Sequence, residues 1–163
     1  IMTKKIEEKT KNKYIICDMA ERNWGKTTTL KKVITEMVDD PFFKLDKSMS
    51  AMGGKRSIDK RVHFKCVRNN KRVVVSTIGD NIPKFVSWLN KASSYPADVI
   101  VTACHPADQT LYEIFNLAKN FGYELIWFKN FRFDNKVLLG GSEYKKIKDI
   151  ESKSIVEIVK SLL

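Results

Sequence analysis

The chain has 163 residues, of which 43% are hydrophobic and 30% are charged, a balance typical of one ordered globular domain spanning residues 1–163. No apolar stretch approaches the roughly 20 residues that a membrane-spanning helix needs, so we expect no membrane association and a cytoplasmic protein. The three cysteines lie in apolar, strand-like runs, and their odd number argues against a disulfide framework.

The net charge of +11 is unevenly distributed along the chain. Residues 44–72, called the basic insert below, contain ten Lys or Arg residues and only two Asp residues. A charge that served only solubility would be spread more evenly. The basic insert therefore favours an anionic partner, which could be a phosphorylated substrate, a nucleic acid or an acidic protein. The alternative is a solvated basic surface.

The first predicted elements are a strand, a loop and a helix in immediate succession. Residues 13–19 are apolar at nearly every position, which is typical of a strand covered on both faces. A loop ending in Gly-Lys-Thr-Thr follows, and apolar residues spaced three and four apart then predict a helix up to Asp39. This order of elements is the context that a phosphate-binding P-loop needs.

The rest of the chain alternates between predicted strands and helices. Residues 44–61 show only weak periodicity of apolar residues and are predicted to form a mobile loop. The pattern of residues 61–78 predicts an antiparallel hairpin at a sheet edge. Further helices are predicted at 82–94, 107–121 and 143–163, strands at 97–104 and 123–128, and a loop at 131–142. This alternation predicts an α/β fold with a mainly parallel sheet.

Residues 20–27 follow the Walker A pattern G-x-x-x-x-G-K-[ST] except at its first position. They read Ala20, Glu21, Arg22, Asn23, Trp24, Gly25, Lys26 and Thr27, and Thr28 comes next. Gly25 would let the backbone wrap a β-phosphate in front of the helix N-terminus. Lys26 would reach the β- and γ-phosphates, and the Thr27 hydroxyl would coordinate Mg²⁺. The alternative is an ordinary strand-to-helix turn.

On these residues the chain resembles the P-loop NTPase superfamily. The resemblance covers the whole chain as an order of elements, but only residues 20–28 as a sequence motif. It implies a three-layer P-loop NTPase fold and a nucleoside triphosphate bound with Mg²⁺ at residues 20–28. Residues 129–136 do not reproduce the N-K-x-D motif of GTPases, which favours ATP, and the Lys-Gly-Gly signature of the deviant partition ATPases is missing.

Two further polar residues follow predicted strands. Asp80 comes after an apolar run at 73–78 and is predicted to hold Mg²⁺ through water; the alternative is an N-cap of the next helix. His105 follows the apolar run at 99–104, which we expect to lie beside the P-loop strand. His105 or Thr102 could sense the γ-phosphate or orient water, and the alternative for His105 is a turn residue that caps a helix.

The sequence therefore predicts a Mg²⁺-dependent, ATP-binding P-loop NTPase or small-substrate phosphotransferase. Lys26, Asp80 and His105 would be its catalytic residues. Small P-loop kinases bind the phosphoryl acceptor in an insertion where this chain has its basic insert, although residues 106–111 lack the arginine-rich lid of nucleoside monophosphate kinases. The alternative is a nucleotide-sensing binding module whose basic insert docks nucleic acid or an acidic protein.

Overall fold

In a computed structural model, the described part of the chain forms an α/β fold in which three helices pack on a mixed sheet of six strands. The structure describes residues 12–19, 26–51, 61–77, 87, 97–104, 109–129 and 142–163. The predicted helix at 82–94 (apart from residue 87) and the predicted loop at 131–142 (apart from residue 142) lie outside these ranges, so both stay predictions.

The strands are β1 (Lys13–Met19), β2 (Phe43–Ala51), β3 (Arg61–Cys66), β4 (Arg72–Ser76), β5 (Val99–Cys104) and β6 (Tyr123–Lys129). The helices are α1 (Lys26–Asp39), α2 (Gln109–Phe121) and α3 (Ser142–Leu162). The described elements follow one another in the order β1-α1-β2-β3-β4-β5-α2-β6-α3. Among the helices described, none is both long enough and apolar enough to cross a membrane.

The sheet has the strand order β2-β3-β4-β5-β1-β6. The pairs β4–β5, β5–β1 and β1–β6 are parallel, whereas β2–β3 and β3–β4 are antiparallel. Ile16 in β1, for example, is level with Val101 in β5 and with Ile126 in β6. The prediction that the strand at 99–104 lies beside the strand at 13–19 is therefore confirmed.

One prediction for the basic insert is wrong. Residues 43–51 form the edge strand β2 rather than a mobile loop, and the predicted hairpin of β3 and β4 consequently lies one strand in from the edge. The apolar pattern of β2 is short, since only Phe43 and Leu45 reach the core, and the register shifts between Asp46 and Ala51. The strand depends on backbone pairing with β3, a distant partner that the local pattern does not reveal.

Helices cover both faces of the sheet. Helices α1 and α3 pack on the face that carries Ile16, and α2 packs on the face that carries Ile15 and Cys17. Alternate side chains of a strand point to opposite faces, so the fully buried β5 supplies both cores. Gly122 ends α2 with a φ of 71°, a left-handed conformation that glycine adopts without steric cost.

Candidate functional site

The carboxyl ends of the parallel strands form the candidate site. Strands β1, β5 and β4 end at Met19, Cys104 and Ser76, and their parallel pairing brings these ends to one edge of the sheet. Each predicted site segment leaves the sheet from this edge. Residues 20–25 follow β1, Asp80 follows β4 and His105 follows β5 directly.

Strands β1 and β5 form a topological switch point. They are adjacent and parallel, but the helices next to them in the sequence pack on opposite faces of the sheet, α1 on one and α2 on the other. Diverging connections open a crevice beyond the carboxyl ends of such strands, which is where open α/β sheets bind ligands. In the sequence, Gly-Lys-Thr comes after β1 and His105 comes directly after β5.

The predicted site residues are described to different extents. Helix α1 begins at Lys26, and Thr28 in its first turn is exposed. The side chains of Lys26 and Thr27 lie outside the description, as do Asp80, His105 and the whole run from Ala20 to Gly25. Their contacts with phosphate and Mg²⁺ therefore stay predictions.

Thr102 is buried on the face of the sheet that α2 covers. It is level with Cys17 of β1 and lies two residues before the end of β5. Its hydroxyl oxygen has no hydrogen-bond partner within the described residues. A phosphate contact from Thr102 stays a prediction.

A buried polar cluster supports the first turn of α1. The Thr29 hydroxyl donates a hydrogen bond of 3.0 Å to Oε2 of Glu151, and Nζ of Lys148 donates one of 2.9 Å to the same oxygen. All three side chains are at most 1% exposed. Helix α3 thereby holds the helix turn to which Lys26 and Thr27 belong.

Asp18 is a buried carboxylate that our reading of the sequence missed. It lies one residue before the end of β1 and is fully buried on the side of the sheet that carries α1 and α3, since it alternates with Cys17. An aspartate within an otherwise apolar strand was a usable signal, because burial of a carboxylate is costly without compensating partners. Its position places a carboxyl group beneath the candidate site.

His63 in the basic insert is neutral at physiological pH. It is only 4% exposed, and burial is the main reason that its pKa is lowered from 6.5 to about 4. The charge of Arg61 lowers the pKa further, whereas that of Asp46 opposes the shift. The positive charge of the insert therefore comes from its Lys and Arg residues alone.

Comparison with known proteins returned no match among family models, curated proteins or solved structures. Within the described ranges, no three His, Cys, Asp or Glu residues are grouped so that they could hold a metal ion. The predicted Mg²⁺ ligands, Thr27 and Asp80, were not open to this test because their side chains fall outside those ranges.

Proposed function

We propose that the chain is a Mg²⁺-dependent, ATP-binding protein of the P-loop type that hydrolyses ATP or transfers its γ-phosphoryl group to a small acceptor. The observation that carries the proposal is the switch point between β1 and β5. In the sequence, Gly25 follows the last residue of β1 by six positions, and α1 starts directly after it, at Lys26. A helix N-terminus presents unpaired N–H groups and a positive dipole end to an anion.

The parallel strands support a P-loop fold of three layers in this proposal. Strands β4, β5, β1 and β6 run parallel with helices on both faces, and β5 lies between the P-loop strand and β4. Asp80, which follows β4, and His105, which follows β5, would then approach the phosphates from neighbouring strand ends. In their proposed roles Lys26 neutralises phosphate charge, Thr27 and Asp80 hold Mg²⁺, and His105 orients water or an acceptor.

The test of the nucleotide site is a titration of the intact chain with ATP and Mg²⁺. We expect Lys26→Ala to weaken ATP binding at least about tenfold, because a hydrogen bond from a charged group contributes about 1.5–3 kcal/mol. Lys31→Ala removes the same charge from the same helix and serves as the matched control. ATP binding that is equal in wild type and Lys26→Ala would contradict the proposal.

Product analysis then separates an enzyme from a sensor. ADP together with a phosphorylated acceptor indicates a phosphotransferase, and free phosphate indicates a hydrolase. If the protein binds ATP, the Lys26→Ala substitution weakens this binding and no turnover is seen, the result supports the alternative of a nucleotide-sensing module.

A further inference from the structure

Three cations of the basic insert form a row across the sheet. Lys44 in β2 is the direct cross-strand partner of Lys65 in β3, and Lys65 is that of Arg72 in β4. Neighbouring strands are about 4.8 Å apart, so the backbone positions of the row span about 10 Å. Residues next to the row, such as Phe64 and Val73, belong to the core beneath α1 and α3. The row therefore lies on the opposite face of the sheet.

The arrangement of these cations is unfavourable without a ligand. Like charges directly opposite each other on neighbouring strands are destabilising. Within the described residues, neither Lys44, Lys65 nor Arg72 forms an ion pair with a carboxylate. Asp46, the acidic residue of β2, accepts a hydrogen bond of 2.7 Å from the Ser48 hydroxyl, and the charge of Lys65 also helps to lower its pKa. This one carboxylate can offset at most one of the three positive charges. A bound anion would relieve the repulsion along the row.

An open groove accompanies the row. It has a volume of about 660 Å³, and Lys44, Asp46, Lys65 and Asn70 are among the residues that line it. Arg68 lies beyond it in the exposed turn between β3 and β4. An open basic surface suits a chain of phosphates better than a single small phosphate, which is usually enclosed.

The row is remote from the candidate nucleotide site. Arg72 is the first residue of β4, and the next residue, Val73, is level with Val99 at the start of β5. Val99 is in turn level with Tyr14 near the start of β1. The row therefore lies at the end of the sheet where β4, β5 and β1 begin. Residues 20–25 instead follow the other end of β1, whose seven residues rise about 3.3 Å each. These three cations are therefore poorly placed to hold an acceptor of the γ-phosphoryl group.

We propose that the row of Lys44, Lys65 and Arg72 binds the sugar-phosphate backbone of a nucleic acid at a site separate from the nucleotide site. Lysine-rich rows match this partner because phosphate contacts dominate protein–DNA affinity, whereas the cores of protein–protein interfaces are depleted in lysine. Phe64, the aromatic residue of β3, is buried on the other face and offers no stacking surface for bases. Binding is therefore independent of base sequence. This inference does not rest on ATP binding.

The test measures binding of a duplex DNA of about 20 base pairs to the intact chain between about 50 and 200 mM salt. Three phosphate contacts give a slope of log K against log salt of about −3, and each lost contact reduces its magnitude by about 1. The double variant Lys44→Thr/Lys65→Thr is expected to bind at least about tenfold more weakly at low salt, with a slope near −1. Threonine preserves the strand propensity.

The matched control is Lys119→Ala/Lys146→Ala, which removes two exposed lysines from α2 and α3. We expect the control to retain DNA affinity within about twofold, and the Lys44/Lys65 variant to retain its ATP affinity if ATP binds. Absence of DNA binding at low salt, or equal losses in the two double variants, would overturn the inference. Tighter binding of polyglutamate than of DNA would also overturn it, by assigning the row to an acidic protein. The effect of Lys26→Ala on ATP binding has no bearing on the inference that the row binds nucleic acid.

Discussion

The hydroxyl of Thr29 in the first turn of α1 donates a hydrogen bond of 3.0 Å to Glu151 in α3, inside the protein and away from solvent. Lys148 donates to the same carboxylate oxygen. The two helices also meet through Ser152, whose hydroxyl donates a bond of 2.6 Å to Glu36. The helix that starts at the candidate nucleotide site is thus held from behind by polar contacts as well as by the core.

Substitution of Glu151 should destabilise the protein strongly. Glu151→Ala leaves the Lys148 ammonium buried without this carboxylate, and breaking a buried ion pair in this way costs about 3–5 kcal/mol. Glu157→Ala in the same helix removes an exposed carboxylate and is expected to cost at most about 1 kcal/mol. Urea denaturation measures the free energy of unfolding of both variants. An equal decrease in the two variants would contradict a stabilising role of the buried Lys148–Glu151 ion pair.

His63 should make the protein less stable in mild acid. Its pKa is about 4 in the folded protein and its ordinary value is 6.5, so the unfolded chain binds a proton over this interval while the native state does not. The free energy of unfolding therefore falls as the pH decreases from 6.5 to 4, by up to about 3 kcal/mol. The contribution is fully present above pH 6.5.

His63→Gln should remove this part of the pH dependence, whereas His105→Gln, at the second of the two histidines, should retain it. Denaturation series at several pH values measure the slope for each variant. A wild-type slope in His63→Gln would show that His63 is not the responsible group.

Asp80→Asn separates the two roles predicted for Asp80. Asparagine caps a helix about as well as aspartate, so a pure N-cap role predicts unchanged thermal stability and unchanged nucleotide binding. A metal role predicts that the Mg²⁺ concentration needed for half-maximal ATP binding rises about tenfold, because the carboxylate charge is lost. Unchanged Mg²⁺ dependence in a stable variant would leave Asp80 as a cap.

Lys65→Glu should stabilise the fold while it impairs DNA binding. The substitution turns two repulsive cross-strand pairs, with Lys44 and with Arg72, into attractive ones, each contributing roughly 0.2–1 kcal/mol. We expect a higher melting temperature than in wild type, with the neutral Lys65→Gln between the two. A lower melting temperature for Lys65→Glu would show that the row carries no repulsion.

The sequence by itself was sufficient to predict those strands and helices whose residue patterns extend over short stretches of chain. The predicted strand at 13–19 and the helix ending at Asp39 agree with β1 and α1, since continuous apolar runs and three-to-four spacing are visible over short distances. The predicted end of the helix at residue 121 likewise agrees with the end of α2 at Phe121. The alternation of strands and helices also predicted parallel strands, and the resemblance to P-loop proteins predicted β5 beside β1; the strand pairing confirms both.

Only the tertiary structure decided which distant residues meet. Lys148 and Glu151 resemble any solvated i, i+3 pair on a charged helix, and packing against α1 is what buries them. The sequence determined that residues 44–72 are basic, but the register of three strands set Lys44, Lys65 and Arg72 side by side. Strand register depends on backbone hydrogen bonds and core packing between segments far apart in the chain, and neither can be predicted from the residues of one segment alone.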